Sequence, residues 1–343
     1  MIEDARINYF RIVEAGYYTH RKHELMFGSA ASVFQDLMNW VKDGEITLAA
    51  TKTFEIEEGD DFGNTFCFDI ENNIDTGDFV LTTWNETPNV EGNVAAVSAN
   101  SKVGQADVEM IEVSEDRIPG FATYFWFAPS HSLLATIRFQ HNLNGHRALV
   151  KYINEFMAKF SCYAVVDEDD EEVEHAVIGY QENDESEIIN LNPLFKSVVL
   201  RKAGKIEFIK ENRNRIRKMI RKNLLSPKVQ DTKGLFDRFM INLGLQQAPQ
   251  LVADIKAKYE VSYNPDEEEL ERIINRWEES HETKWDDVGF KMERDKGTHW
   301  LSHSLIKYDL KLDVERENLE VVNSASLLNA ITENRNALLG LAV

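Results

Sequence analysis

The chain has 343 residues, 43% of them hydrophobic and 28% charged, and a formal net charge of −21 at pH 7. No apolar run approaches the roughly 18 residues that a membrane span needs, and Cys67 and Cys162 are too far apart for a metal or redox motif. The composition therefore excludes a membrane-spanning protein and indicates a cytoplasmic globular one, with buried, reduced thiols and enough residues for two cores.

The first part of the chain predicts an antiparallel β-meander with packed helices. MIEDARINYFRIV is acidic where a secretory signal is basic, so we expect no export signal, and its ARINYFRIV part alternates as a strand does. ASVFQDLMNWV has helical spacing, and HRALVKYINEFMAKF forms a helix that ends an α+β domain, residues 1–160. Between them lie short β-rich runs separated by Gly, Asn or Asp: TKTFEIEE, NTFCFDIEN, DFVLTTWNE, GFATYFWFAP and SLLATIRFQ.

One of these runs is strongly aromatic. Tyr124, Phe125, Trp126 and Phe127 are consecutive. Such residues can stack on bases, as they do in single-strand binders, but apolar flanks favour a central strand that is buried on both faces. We expect the run to belong to the core.

The second part of the chain predicts a different organisation. Residues 161–190 form an acidic linker or hairpin region, with clusters DEDDEEVE at 167–174 and ENDESE at 182–187. Residues 191–343 form a mixed, mainly helical α/β domain, so the fold class is α+β. Its expected elements are a hairpin in PLFKSVVLRKAGKIEFI, strands at VGFKMER and LIKYDLKLDV, and helices at GLFDRFMINLGL, PQLVADIKAKY, EEELERIINRWEESH and SASLLNAITENRNALLGL.

Positive charge is concentrated in one segment. Residues 196–233 contain thirteen Lys or Arg against three acids, a local balance of +10, which leaves −31 for the rest. Within it, KENRNRIRKMIRKN at 210–223 predicts an amphipathic helix with one cationic side. Like charges at i,i+4 spacing destabilise such a helix, so we expect an anionic partner.

Three partners fit this basic helix. A nucleic-acid backbone would accept guanidinium contacts without sequence preference. The protein's own acidic clusters, or those of a second copy, could cover the helix instead, and could also mask it until DNA displaces them. An anionic membrane fits less well, because the helix has few large apolar residues. We expect the phosphate-contacting residues to be Arg201, Lys202, Lys205, Lys210, Arg213, Arg215, Arg217, Lys218, Arg221 and Lys222.

Metal ligands are not indicated. His20 with His23, and His299 with His303, have spacings that could join two imidazoles, but neither pair matches a zinc signature or has an evident third ligand. We expect surface or hydrogen-bonded histidines, and neither a metal nor another cofactor.

A metal-dependent nuclease is the catalytic alternative. Such a site needs carboxylates and often a lysine, and Asp309-Leu-Lys311 with Glu267, Glu268 or Asp287 offers these residue types. The same tripeptide pattern recurs in Asp254-Ile-Lys256. No phosphate-binding glycine loop, nucleophile elbow or Cys-His pair is present in the sequence. We therefore predict no catalytic residue, and nothing requires an enzyme.

The order of elements over residues 7 to 200 carries a resemblance. A strand, a helix, a meander with FDI and GDFVLTTWNE, then IPGFATYFWF, LLATIRFQ and the helix INEFM follow one another. This order resembles the RexA-type superinfection-exclusion proteins of prophages. The resemblance implies a globular α+β fold, dimers that bind duplex DNA without sequence preference, and a sensing step that leads to growth arrest. The chain departs from that family in its longer, acidic C-terminal part.

The sequence thus predicts a cytoplasmic phage-defence protein, a homodimer, that binds nucleic acid through its basic helix, with a second defence-system subunit as a further partner. The alternatives are a metal-dependent nuclease and a protein-interaction module whose basic helix is structural.

Overall fold

The computed structural model of the chain describes residues 1–43, 46–56, 63–87, 94–104, 108–111, 117–139, 145–166, 177–201, 205–225, 255–280, 287–295, 297–304, 307–318 and 320–342. None of the helices in these ranges is long and apolar enough to cross a membrane.

Ten strands form one antiparallel sheet. They are β1 (Ile2–Tyr18), β2 (Leu25–Phe27), β3 (Thr65–Asn73), β4 (Asp78–Glu86), β5 (Val94–Ser98), β6 (Val108–Ile111), β7 (Arg117–Ala128), β8 (Leu133–Arg138), β11 (Asn192–Val199) and β16 (Lys307–Asp313). The order along the main path of the sheet is β11-β1-β8-β7-β4-β3. Strands β16 and β2 also pair with β1, and a hairpin of β5 and β6 extends from β7.

Both faces of this ten-stranded sheet are covered by helices. Residues of α1 (Ala30–Asp43) and α2 (His146–Lys159) pack on one face, and residues of α5 (Ser324–Leu341) pack on the other. Because neighbouring residues of a strand point to opposite faces, Trp126 of β7 joins the α5 side while Phe127 joins the α1 and α2 side. Continuous apolar runs such as TYFWFA follow from this double burial.

A buried carboxylate ties α5 to the sheet. Asp78 of β4 is 1% exposed, and its Oδ2 accepts hydrogen bonds from Trp126 Nε1 at 3.0 Å and Arg335 Nε at 2.8 Å. A second nitrogen of Arg335 donates to Asp78 Oδ1 at 3.0 Å. The bidentate pair neutralises a charge that would be costly to bury alone.

A second sheet lies in the C-terminal part. Its order is β13-β12-β14-β15, and its strands are antiparallel. Helices α3 (Lys205–Glu211) and α4 (Glu267–Ser280) contribute to an apolar cluster on one face of it. Its strands are β12 (Ile216–Leu225), β13 (Ile255–Ser262), β14 (Asp287–Met292) and β15 (His299–Trp300); a separate hairpin joins β9 (Ala164–Val166) and β10 (Val177–Tyr180).

The prediction of a mainly helical C-terminal domain is wrong, because this region contains a four-stranded sheet and contributes β11 and β16 to the first sheet. The basic helix is wrong in particular: residues 205–211 are helical, but residues 216–225 form β12. A bulge between Ile216 and Lys218 explains the error. The extra residue puts Ile216 and Met219 on one face of a strand, although their spacing of three residues is typical of a helix.

Two neighbouring predictions fail with it. The expected hairpin in PLFKSVVLRKAGKIEFI is absent, because a helix follows β11, and the C-terminal half of PQLVADIKAKY belongs to β13. The segment GLFDRFMINLGL lies outside the described residues. Of the predicted β-rich runs, NTFCFDIEN, DFVLTTWNE, GFATYFWFAP and SLLATIRFQ contain strands, but the described part of TKTFEIEE, through residue 56, forms none. The strands β14 and β16 and the helices α4 and 324–341 agree with the prediction.

The ten-stranded sheet takes strands from both sides of the predicted limits at residues 160 and 190, since β11 and β16 pair with β1. The division into domains stays a prediction.

Candidate nucleic-acid interface

The ten predicted phosphate-contacting residues lie on several elements. Lys202 lies outside the described residues, and Arg201 follows β11 directly. The others are distributed over α3 (Lys205, Lys210), the 3-10 turn after it (Arg213, Arg215) and β12 (Arg217, Lys218, Arg221, Lys222).

Alternation along β12 separates its cations. Met219 and its cross-strand partner Phe290 pack in the apolar cluster with α3 and α4. Arg221, two residues further, shares this side and is half-buried. Lys218 and Lys222 therefore point to the opposite face, away from the two helices.

That opposite face carries four lysines, which we call the lysine face: Lys218, Lys222, Lys258 and Lys291. Lys218 lies directly across from Lys291 of β14, and Lys222 directly across from Lys258 of β13. Like charges directly opposite each other destabilise a sheet, so this arrangement is unfavourable unless an anion is bound. Lys218 and Lys291 are 47% and 41% exposed.

One carboxylate lies between two of these lysines. Glu260 of β13 accepts hydrogen bonds from Lys218 Nζ and Lys291 Nζ, each at 2.7 Å. The hydrogen bonds from Lys218 and Lys291 lower the pKa of Glu260 to about 2. Glu260 therefore stays ionised at every physiological pH, and occupies the position that an external anion would take.

Lys222 has an aromatic partner. Its Nζ lies 3.5 Å from the centroid of the Trp300 ring, which is a cation–π geometry. The ring covers Gly289, because a Cβ added at Gly289 would lie 2.7 Å from Trp300 Cε3. A glycine at this position lets the indole lie flat on the strand and hold the Lys222 ammonium on the lysine face.

A buried acid borders this contact. Asp287, across from Lys222, is 2% exposed and accepts hydrogen bonds from Ser302 Oγ at 2.6 Å and the Ser302 amide at 3.1 Å. Burial raises the pKa of Asp287, while the Ser302 hydrogen bonds and the Lys222 charge act in the opposite direction. The carboxylate is thus held by Ser302 and turned away from solvent.

Several predicted cations bind glutamates of the same region. Lys210 Nζ lies 2.9 Å from Glu271, and Arg217 lies 2.6 Å from Glu293. These pairs are about half exposed, so each contributes about 0–1 kcal/mol and is weakened by salt. A further pair joins Arg201 to Glu278.

The predicted mask is not seen in the part of the chain that the structure describes. Residues 182–187 are largely exposed and form no ion pair with the basic segment in those ranges. The cluster at 167–174 lies outside them.

Two of the predicted arginines fix the turn before β12. Arg213 donates to the carbonyl of Pro265 at 3.1 Å, and Arg215 donates to Asn212 Oδ1 at 2.9 Å and the Glu293 carbonyl at 3.2 Å. Their hydrogen bonds join the turn to the residues that precede α4 and follow β14, so they hold the fold as well as adding charge.

Sequence reasoning missed Lys258, Lys291 and Trp300. Lys258 belongs to a segment that we predicted as a helix, and Lys291 belongs to a predicted strand. The available signal was the alternation of lysine with other residues in IKAKYEVS, which is typical of a strand with one polar face.

The residues of the nuclease alternative do not come together. Asp309 lies on β16 of the ten-stranded sheet, 2.6 Å from Arg6, whereas Asp287 lies on β14 and Glu267 in the first turn of α4. Within the described ranges, no three His, Cys, Asp or Glu side chains are grouped to hold a metal. Asp254 lies outside these ranges.

The predicted histidine pairs have separate partners. His20 lies 3.0 Å from Asn190, and His23 lies 2.5 Å from Glu14. His299 lies 2.6 Å from Asp295.

The aromatic run Tyr124, Phe125, Trp126 and Phe127 is buried, which confirms its place in the core. Both cysteines are free; Cys67 is buried as predicted, but Cys162 is exposed, which corrects the prediction.

Comparison of the chain with family models, with curated proteins and with solved structures finds no match in any of the three. The resemblance to RexA-type proteins therefore stays a prediction from the order of elements.

Proposed function

We propose that this protein binds nucleic acid, with duplex DNA favoured, through phosphate contacts on the lysine face. The observation that carries the proposal is the direct cross-strand placement of Lys218 against Lys291 and of Lys222 against Lys258. Four ammonium groups on one sheet face form a site for a polyanion, and none of them is placed to select a base sequence.

The internal glutamates do not exclude this function. Glu260 binds two of the lysines, but all three side chains are at least one-third exposed. Exposed pairs are weak, so a phosphate can replace the carboxylate without a large cost to the fold. Arg217 and Lys210 extend the positive surface beyond the sheet, and they exchange their glutamate partners in the same way.

Titration of a fluorescent 20-base-pair duplex with the full-length protein at 50 and 200 mM salt tests the proposal. Four phosphate contacts predict a slope of log K against log salt of about −3.6, which is a loss of affinity of about 100-fold over this range. The variant Lys218→Gln/Lys291→Gln should reduce the slope by about 1.8.

The matched control is Lys159→Gln/Lys196→Gln, which removes the same charge from exposed positions on α2 and β11. It should leave the slope unchanged. Absence of binding at 50 mM salt, or an equal loss in both variants, contradicts the proposal and favours an interaction module in which the cations only pair with their own glutamates.

The proposal places this binding in the cytoplasm, in a homodimer that takes part in phage exclusion with a second defence-system subunit. The role in phage exclusion rests on the RexA-type resemblance, whereas the cytoplasmic location rests on the composition and the acidic N-terminal sequence. A plaque assay in a host that carries the gene, with and without the two glutamine substitutions, tests it.

A further inference from the structure

Among the buried polar atoms of the ten-stranded sheet that have no hydrogen-bond partner in the described residues, one from Asn8 and one from Thr136 lie side by side. Asn8 of β1 is 3% exposed and Thr136 of β8 is 0% exposed, and neither Asn8 Oδ1 nor Thr136 Oγ1 is partnered. The two residues are direct cross-strand neighbours, so they share a face. We call them the polar pair. Buried polar atoms are normally hydrogen-bonded to the protein or to water, so two adjacent exceptions mark a place where a polar group from outside the chain can bind.

The N-terminus of α2 lies over the polar pair. The ring of His146, the first residue of this helix, stacks on Phe10 at 3.9 Å between centroids, and Phe10 is two residues from Asn8 on the same face. Gly145, the N-cap, is so close to the sheet that an added Cβ would lie 3.1 Å from Phe125. Phe125 is the cross-strand neighbour of Thr136. The polar pair therefore lies between the two rings that the helix start contacts.

Two arginines lie one step along the same strands. Arg6 and Arg138 are direct cross-strand neighbours on the face of the polar pair. Arg6 is 35% exposed and its Nε lies 2.6 Å from Asp309, so one carboxylate balances part of this charge. Along β1 the exposure falls from Asp4 through Arg6 to Asn8, which places the arginines at the solvent side and the polar pair deeper.

We infer that the polar pair, the two arginines and the N-terminus of α2 bind a phosphate group carried by a small molecule. A helix N-terminus attracts anions through its amide groups and its dipole, and guanidinium groups match the oxygens of phosphate. The Thr136 hydroxyl donates to one phosphate oxygen. Rotation of the Asn8 amide by a half-turn exchanges its oxygen and nitrogen, so that Nδ2 donates to the same anion.

Thermal unfolding of the full-length protein tests the inference. The Tm with added sodium phosphate or ADP is compared with the Tm in sodium chloride at equal ionic strength. We expect a rise in Tm of about 2 °C at a probe concentration ten times its Kd. A larger shift at equal concentration with ADP identifies a nucleotide as the source of the phosphate, and equal shifts identify inorganic phosphate. The absence of a Tm shift with either probe at about 20 mM, a concentration above millimolar Kd values, overturns the inference.

Two substitutions separate a binding site from a defect of packing. Thr136→Val keeps the shape and removes a hydroxyl without a partner, so the Tm without probe should stay equal or rise while the phosphate shift is lost. Arg138→Met should weaken phosphate binding at least about tenfold. A phosphate shift that survives both substitutions overturns the inference.

The matched control is Thr82→Val, on the opposite face of the sheet. Thr82 is equally buried, but its hydroxyl is 2.8 Å from that of Ser324. This variant should lower the Tm and keep the phosphate shift. Duplex binding by the lysine face should be unchanged in all three variants, so failure of this inference is distinguishable from failure of the proposed function.

Discussion

The two sheets of this protein use the same strand geometry for different ends. In the ten-stranded sheet both faces are buried, so consecutive residues such as Trp126 and Phe127 are apolar. In the four-stranded sheet one face packs on α3 and α4 through Met219, while the other presents Lys218 and Lys258 to solvent. The comparison teaches that a strand buried on both faces must be apolar along its length, whereas a half-covered sheet keeps a face on which charge can serve binding.

The largest loss of stability should come from breaking the ion pair of Asp78 and Arg335 in the ten-stranded sheet. Arg335→Met leaves Asp78 buried without its cation, which should reduce the free energy of unfolding by about 3–4 kcal/mol. Urea unfolding measures this. Duplex affinity of the folded fraction should not change, and a loss below about 1 kcal/mol would mean that Asp78 is protonated or solvated instead.

The four-stranded sheet should respond to Gly289→Ala. The new Cβ would lie within 2.7 Å of the Trp300 ring, and such overpacking costs about 1–3 kcal/mol. Displacement of the indole should also change its fluorescence and weaken duplex binding through Lys222. Gly340→Ala is the control, since nothing lies within 4 Å of its Cβ and alanine favours the helix. A neutral Gly289→Ala variant would show that Trp300 is not fixed on the strand.

The stability of the protein should depend on pH through His146, which packs on the ten-stranded sheet. Burial lowers the pKa of His146 to about 3, below its ordinary value of 6.5. The unfolded chain gains a proton on this ring below pH 6.5 that the native chain does not, so native stability falls as the pH decreases toward 3. His146→Phe removes this term and keeps the stack on Phe10.

Between pH 7 and pH 5.5 the variant should therefore lose about 1 kcal/mol less stability than the wild type. Urea unfolding at the two pH values measures the difference. Parallel losses in both proteins would mean that the native His146 ring takes up the proton.

The smallest effect should come from Glu260, whose carboxylate competes with phosphate for the lysine face. Glu260→Gln removes the negative charge between Lys218 and Lys291, and should raise duplex affinity at 50 mM salt by about threefold. Glu271→Gln, which releases only Lys210 on α3, is the matched control and should have less effect. Lower affinity in Glu260→Gln would show that this glutamate orders the lysines for binding.

Much of the ten-stranded sheet follows from local sequence, because short runs such as DFVLTTWNE and GFATYFWF are rich in β-branched and aromatic residues, which favour strands. The lysine face does not, because the bulge after Ile216 makes IRKMI fit a helical period as well as a strand. The long-range pairing of Lys218 with Lys291 has no local signal. Asn8 and Thr136 could not be recognised either, since only the fold brings them together.

The pairing of β1 has a consequence for synthesis of the chain. Its first half, Ile2 to Asn8, pairs with β16, and its second half, from Phe10 onward, pairs with β11. On the ribosome the backbone edge beside Ile2 must therefore wait for residues near Asp313. Contacts so distant in sequence slow folding, and an open strand edge can join a neighbouring nascent chain. Production of the native protein should thus depend on a chaperone that shields this edge until the last strand emerges.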